Sequence, residues 1–255
     1  MFQGNTIISK ITTIIRLIKH KNYKTVLYSF INKFPICTIL DRRVYRGVNK
    51  LLSGYQYRQS FDEKYFSKLE YNCIPWMTYP FIDFVKNLDL KNKTIFEYGS
   101  GASTIFWGRN ASKVVSIEND EDWYNLIKNK ITDNTELKFR GDITKFIESI
   151  NEDNKSYDII ILDGGSNRYE CALKSINKLN RGGMIILDDS DNLYYKRICD
   201  FLKYEDLLQI DFIGFKPRSE NIVATSVFLK RDFNFTMKYE VQPRIFIGEN
   251  RNYEA

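Results

Sequence analysis

Histidine is almost missing from this chain: His20 is the only one in 255 residues, and it stands among lysines and isoleucines, far from any glycine turn. That scarcity excludes a histidine base or a histidine-ligated metal from the rest of the sequence. Cys37, Cys73, Cys171 and Cys199 lie far apart without a C-x-x-C pair. They read as reduced, packed or surface thiols rather than a disulfide framework or zinc site. No apolar run approaches the roughly 18 to 20 residues of a membrane span, and no compact apolar core precedes a small-residue cleavage site. The expected location is therefore cytoplasmic. No internal repeat or low-complexity segment is present. No recognised nucleic-acid module appears either, and the N-terminal aromatics sit on apolar stripes rather than between basic residues, so no nucleic-acid partner is expected.

What is present is a globular composition, 43% hydrophobic and 15% aromatic, with a formal charge of +6 that is unevenly spread. Residues 1–60 contain Asp41 as their only acid and carry +10, whereas the remainder carries −4. Two parts are implied. Ile7, Ile8, Ile11, Ile14, Ile15 and Ile18 fall on one helical stripe, and Tyr23, Val26, Leu27, Phe30, Ile31 and Phe34 repeat the spacing before Pro35. The reading is a basic amphipathic helical extension over 1–60, an α/β domain with its approach segment over 61–231, and a C-terminal tail over 232–255. The apolar patch Ile245 to Ile247 in that tail suits an added strand or a loosely held end. Such stripes fit either an anionic membrane surface, making the protein peripheral to the inner face of the cell membrane, or packing on the core, on a partner or in an oligomer.

Strands are predicted at about 94–98, 114–118, 136–140, 157–163, 183–189, 209–215 and 224–230. Helices fall between the first five, and a short link between the last two suits an antiparallel hairpin. Pro80 is placed to open a helix running to about Leu88, with Thr78 or Tyr79 near its cap. The pattern is that of a doubly wound α/β sheet, whose ligands bind outside the carboxyl ends of the strands.

Those ends carry the informative residues. The first strand runs into Glu97-Tyr98-Gly99-Ser100-Gly101, followed by Ala102, Ser103 and Thr104. A dinucleotide fingerprint needs a third glycine where a helix N-terminus closes on pyrophosphate, and its absence favours a cofactor without phosphate. The second strand ends on Glu118, whose two oxygens suit two ribose hydroxyls, and Asp142 follows the third, placed to accept from an adenine amino group. The fourth ends at Asp163-Gly164-Gly165, and the fifth at Leu187-Asp188-Asp189-Ser190-Asp191. Carboxylates there can deprotonate a hydroxyl or bind a hard divalent cation. The sequence alternative for the second cluster is that one acid caps the helix near Asn192 to Phe201 while the others face water.

The turn Glu97 to Gly101 resembles the E/D-x-G-x-G signature of class I S-adenosylmethionine (SAM)-dependent methyltransferases. Residues 75–230 resemble a bacterial group of that class often associated with surface-glycan biosynthesis. The likeness rests on Pro75 to Pro80, Phe96 to Thr104, Val115 to Glu118, Leu187 to Asp191 and Thr225 to Leu229. It implies a Rossmann-like seven-stranded sheet with an antiparallel final hairpin, and SAM contacts from Glu97, Gly99, Ser100, Gly101 and Glu118, with Ser103 and the Trp76 to Tyr79 segment (Trp76, Thr78, Tyr79) as additions. Asp163, Asp189 and Ser190 also stand where metal-dependent catechol-type methyltransferases place an Asp and an Asp-Asn pair. Serine is a poorer ligand than asparagine, so Mg2+ on Asp163 and Asp189 is not favoured.

The resulting expectation is a SAM-dependent O-methyltransferase (EC 2.1.1.-) that modifies a sugar hydroxyl of a glycan or lipid-linked saccharide, held near the membrane or a glycosyltransferase. Asp163, or failing that Asp189, is the expected catalytic base. A metal-assisted enzyme for a small-molecule hydroxyl, or a non-catalytic scaffold subunit of the same fold, are the alternatives.

Overall fold

Strands β1 (Thr94–Tyr98), β2 (Lys113–Glu118), β3 (Thr135–Phe139), β4 (Tyr157–Leu162), β5 (Leu179–Leu187), β6 (Leu208–Gly214) and β7 (Val223–Leu229) form one sheet in a computed structural model of the protein. The residues described are 47–49, 52, 54, 55, 57–61, 74–165 and 167–238. The two N-terminal stripes, His20, Cys37, Cys73 and the 245–247 patch lie outside them. The sheet order is β3-β2-β1-β4-β5-β7-β6, with β7 antiparallel to both β5 and β6. This is the class I methyltransferase topology, and every predicted strand is present within a few residues.

Helices α1 (Tyr79–Lys86) and α2 (Ala102–Asn110) pack on one face of the sheet, where Phe81, Val85 and Trp107 meet Ile95, Ile159, Ile161 and Ile186. The other face carries Phe96, Ile160, Leu162 and Ile185 beneath α4 (Ile143–Glu148), α5 (Arg168–Ser175) and α6 (Lys196–Tyr204), with α3 (Glu121–Ile127) following β2. Successive strand residues point to opposite faces, so covering both faces demands continuous apolar runs such as Ile159 to Leu162. Each such side chain buried stabilises the fold by roughly 1.5 to 3 kcal/mol.

Pro80 is the second residue of α1, with Thr78 as N-cap, one position later than the sequence reading. Tyr55, Tyr57 and Ser60, which the charge boundary leaves with the extension, belong to the α/β unit: the Tyr55 and Tyr79 rings are 4.6 Å apart, and Ser60 Oγ accepts from Arg218 N at 2.9 Å. The start of the tail is also fixed. Gly182 N donates to Asp232, Asp89 N to Thr236 O at 2.8 Å, and Phe235 is buried in the core. Among the described residues no helix is long and apolar enough to cross a membrane.

Candidate functional site

The carboxyl ends of β1 and β4 meet backbone to backbone. Gly99 has φ +89°, and a Cβ there would lie 2.8 Å from Gly164 N, closer than side chains come to neighbouring backbone. Asp163 N donates to Tyr98 O at 3.0 Å, which brings the glycine turn and Asp163 to the same edge. Gly101 differs. A Cβ at that position would meet nothing nearer than Trp123 Nε1 at 3.7 Å, so the protein's own packing does not demand glycine there.

Glu97 is fully buried. Its Oε2 accepts from Thr104 Oγ1 at 2.5 Å and Ser116 Oγ at 2.7 Å. Burial pushes its carboxyl up to about 7 although hydrogen bonds from Ser103, Thr104 and Ser116 oppose the rise. Thr104 Oγ1 also accepts from Gly101 N at 2.9 Å, which ties the turn to the acid. The sequence reading placed Thr104 and Ser116 in its motif segments but gave them no role at the site. Thr104 stands three residues past the helix N-cap Gly101, the capping-box spacing, and Ser116 is a lone hydroxyl inside an apolar strand.

Glu118 carries a local duty that sequence reasoning did not include. Oε2 accepts from Ser100 N and Ser100 Oγ at 2.8 and 2.7 Å, and Oε1 from Asn119 N and Asp120 N at 2.8 and 2.9 Å. All four of its acceptor positions are engaged, so a ribose diol would share or replace these bonds. Asp142 is exposed at the N-cap of α4 and accepts from Lys145 N at 2.9 Å. Of the approach residues, Trp76 reaches the turn: its ring lies 5.7 Å from Trp123, whose Nε1 donates to Ser100 O. Thr78 and Tyr79 are anchored to the hairpin instead. Thr78 N and Oγ1 bond Thr225 Oγ1 and Phe212 O at 3.0 and 2.9 Å, and Tyr79 N bonds Phe215 O at 2.9 Å.

The acidic cluster after β5 is neither a helix cap nor solvated as a whole, which corrects the sequence alternative. Asn192 makes the cap, accepting from Tyr194 N at 3.1 Å. Asp188 is buried and accepts from Thr225 Oγ1 at 2.7 Å and from Lys216 Nζ at 2.9 Å. Lys216 Nζ also donates to Asp189 Oδ1, and Asp191 Oδ1 accepts from Ala224 N at 2.8 Å. Beside the end of the neighbouring β4, Arg168, the first residue of α5, donates from Nη2 to Asp163 Oδ1 at 2.9 Å and from Nη1 to Asp188 O. Its guanidinium lies 4.7 Å from the Tyr195 ring. Burial and the Asp188 carboxylate push the Asp163 pKa up, against the opposing pull of Arg168 and Lys216. Arg168 and Lys216 were invisible to the sequence reading, because neither lies in a motif and each reaches acids from another element.

The residues fit SAM in the sense that a glycine turn at the end of β1, the buried Glu97 carboxyl behind it and the Trp76–Trp123 aromatic pair meet at one place. They do not fit Mg2+. The carboxylates it would need are already engaged by Lys216 and Arg168, and among the described residues no three His, Cys, Asp or Glu side chains gather as ligands.

No protein-family model matches the chain, and no characterised protein matches it by sequence. Solved structures resemble it at the level of the fold. The precorrin-6y C5,15-methyltransferase of Geobacter metallireducens aligns at 14% identity over 59% of this chain and 87% of its own, with a TM-score of 0.49. An O-methyltransferase from Bacillus cereus, solved with S-adenosylhomocysteine, aligns at 16% identity over 76% and 95%, with a TM-score of 0.47. The precorrin 8w decarboxylase of Methanobacterium thermoautotrophicum aligns at 16% identity over 58% and 87%, with a TM-score of 0.42. Likenesses of this size carry no argument about substrate or chemistry.

Proposed function

We propose that the protein is a SAM-dependent O-methyltransferase acting on a hydroxyl of a saccharide, with Asp163 as the base. The observation that carries this reading is the juxtaposition at one sheet edge of the glycine turn and Asp163, joined through the bond from Asp163 N to Tyr98 O at 3.0 Å. When bound, SAM supplies an electrophilic methyl group on a sulfonium. The chain's part is to hold the donor and prepare the acceptor. Ser100, Gly101 and Trp76 frame the donor turn, and the buried Glu97 carboxyl backs it through Thr104, which accepts from Gly101 N at 2.9 Å. An alcohol becomes an adequate nucleophile once its proton leaves, and Asp163 is partly exposed, held by Arg168, and raised in pKa toward the range where a carboxylate accepts a proton usefully. Asp189 is less suited, since Lys216 already engages it. The saccharide rests on the motif resemblance alone, through Pro75 to Pro80 and the turn.

Calorimetry with S-adenosylhomocysteine tests the donor half. Binding is expected in the micromolar range, on the order of −8 kcal/mol, and a protein that binds none is not a SAM enzyme. Glu118→Ala should weaken binding by about 1 to 3 kcal/mol through the loosened turn and the lost acceptor. Mass spectrometry of surface glycans from cells with and without the gene tests the acceptor, with loss of a 14-Da increment per site as the expected result on the order of one methylene. Donor binding without turnover on any hydroxyl acceptor would favour the scaffold alternative.

A further inference from the structure

The loop joining β6 to β7 sends Lys216 to the carboxyl end of β5, where Nζ donates to Asp188 Oδ2 at 2.9 Å and to Asp189 Oδ1. The pair is well shielded, with 15% of the Lys216 side chain and 2% of the Asp188 side chain exposed. The other Asp188 oxygen is taken by Thr225 Oγ1 at 2.7 Å. One strand away, Asp163 Oδ1 is taken by Arg168 Nη2 at 2.9 Å. A divalent cation at this edge would need the same hard oxygens. An ammonium among them repels such an ion, and it leaves only if two carboxylates, one of them buried, give up their partner.

We infer that Lys216 is a resident cation occupying the place at the end of β5 that a divalent metal would require. It acts as a positioning residue: it holds Asp188 and Asp189 in place, leaves Asp163 to face the acceptor, and makes methyl transfer independent of divalent metal. Its hold on the hairpin loop is reinforced by Tyr57, whose hydroxyl donates to Ser219 O at 2.8 Å, so the ammonium is delivered by an anchored segment. The methyl-transfer half of this inference rests on the reading under Proposed function, whereas the metal-refusal half does not.

The test uses the full chain with Mn2+ alone as probe, followed by electron paramagnetic resonance and calorimetry without SAM. The unaltered protein should bind no Mn2+ at micromolar concentrations, and its transfer should be unmoved by EDTA. Lys216→Met should gain Mn2+ binding by about tenfold or more, because two carboxylates lose their cation, and should lose turnover. Lys216→Arg should refuse Mn2+ and restore turnover to within about tenfold of the original, since a charge is kept at the same acids. Micromolar Mn2+ binding by the unaltered protein, a folded Lys216→Met variant still blind to Mn2+, or transfer abolished by EDTA and restored by Mg2+ would each overturn the inference. If Lys216→Met does not fold, the unaltered protein and Lys216→Arg decide it by the same two readouts. Absent S-adenosylhomocysteine binding would sink the proposed function while leaving the Mn2+ result standing.

Discussion

The two halves of the sheet's carboxyl edge hold their carboxylates by opposite means. At β1 and β2, Glu97 and Glu118 are held by neutral donors: the hydroxyls of Thr104, Ser116 and Ser100, and the backbone N–H groups of residues 100, 119 and 120. At β4 and β5, Asp163, Asp188 and Asp189 are held by Arg168 and Lys216. Burial pushes the Glu97 carboxyl up to about 7 even though these neutral donors oppose the rise. Cations favour the charged form, yet Asp163 and Asp188 are still raised by the loss of solvent around them and, for Asp163, by the neighbouring Asp188 carboxylate. The first half is built to be polar and adaptable, the second to keep charge in a fixed place.

The largest expected effect breaks the second half. Asp163→Asn keeps the shape and removes the base, so turnover should fall by about 10² to 10⁴-fold while S-adenosylhomocysteine affinity stays within about threefold. Single-turnover kinetics beside calorimetry checks both. Because a base must be deprotonated and this one is raised, activity should climb with pH through a limb above the ordinary carboxylate range. A turnover rate that is flat from pH 5 to 9, or an unaffected Asp163→Asn variant, would remove Asp163 from the chemistry.

A smaller effect, confined to the first half, is read in stability. Glu97 is raised from 4.5 to about 7, so the folded state binds its proton more tightly than the unfolded chain does. The contribution is therefore most favourable below pH 4.5, declines as pH rises to about 7, and is constant beyond, a loss of about 3 kcal/mol at most. Glu97→Gln cannot titrate, so the stability difference between variant and parent should move in the variant's favour across that window. Urea unfolding at several pH values measures it, and a difference that does not change with pH means Glu97 titrates in the folded state as it does in the unfolded chain.

These two halves were not equally legible in the sequence. The sheet was, because β1, β2 and β4 are apolar runs of strand length that end on acids or glycines, and the eight-residue link from β6 to β7 leaves room for a hairpin and little else. The glycine turn was legible too, because residues 97 to 104 run without a break from the end of β1 through the turn into α2, but the Ser116 hydroxyl that reaches Glu97 from 19 residues away was not. The charged half was not. Arg168 and Lys216 lie 5 and 28 residues from the carboxyls they serve, and nothing in their flanking sequence marks them among 38 basic residues. Tertiary ion pairs carry no local signature. The same reason explains why Asp188 to Asp191 read as cap or solvated acids, when Asn192 is the cap and Asp188 is buried against a lysine from another strand pair.

The smallest expected effect separates the two glycines of the turn, which the sequence treats alike. A Cβ at Gly99 would meet Gly164 backbone at 2.8 Å at a φ of +89°, and neither can yield without separating β1 from β4. Gly99→Ala should therefore cost about 1 to 3 kcal/mol of stability with donor affinity lost alongside. At Gly101 a Cβ meets only ordinary contact, with Trp123 at 3.7 Å. Gly101→Ala should change stability by less than about 1 kcal/mol, the range for a helix N-cap exchange, so any loss of S-adenosylhomocysteine binding would come from space the cofactor needs. Thermal unfolding and calorimetry on both variants draw the contrast. If Gly101→Ala binds as tightly as the parent while Gly99→Ala binds weakly in proportion to its instability, the turn serves the sheet alone and the backbone at Gly101 is not a cofactor cradle.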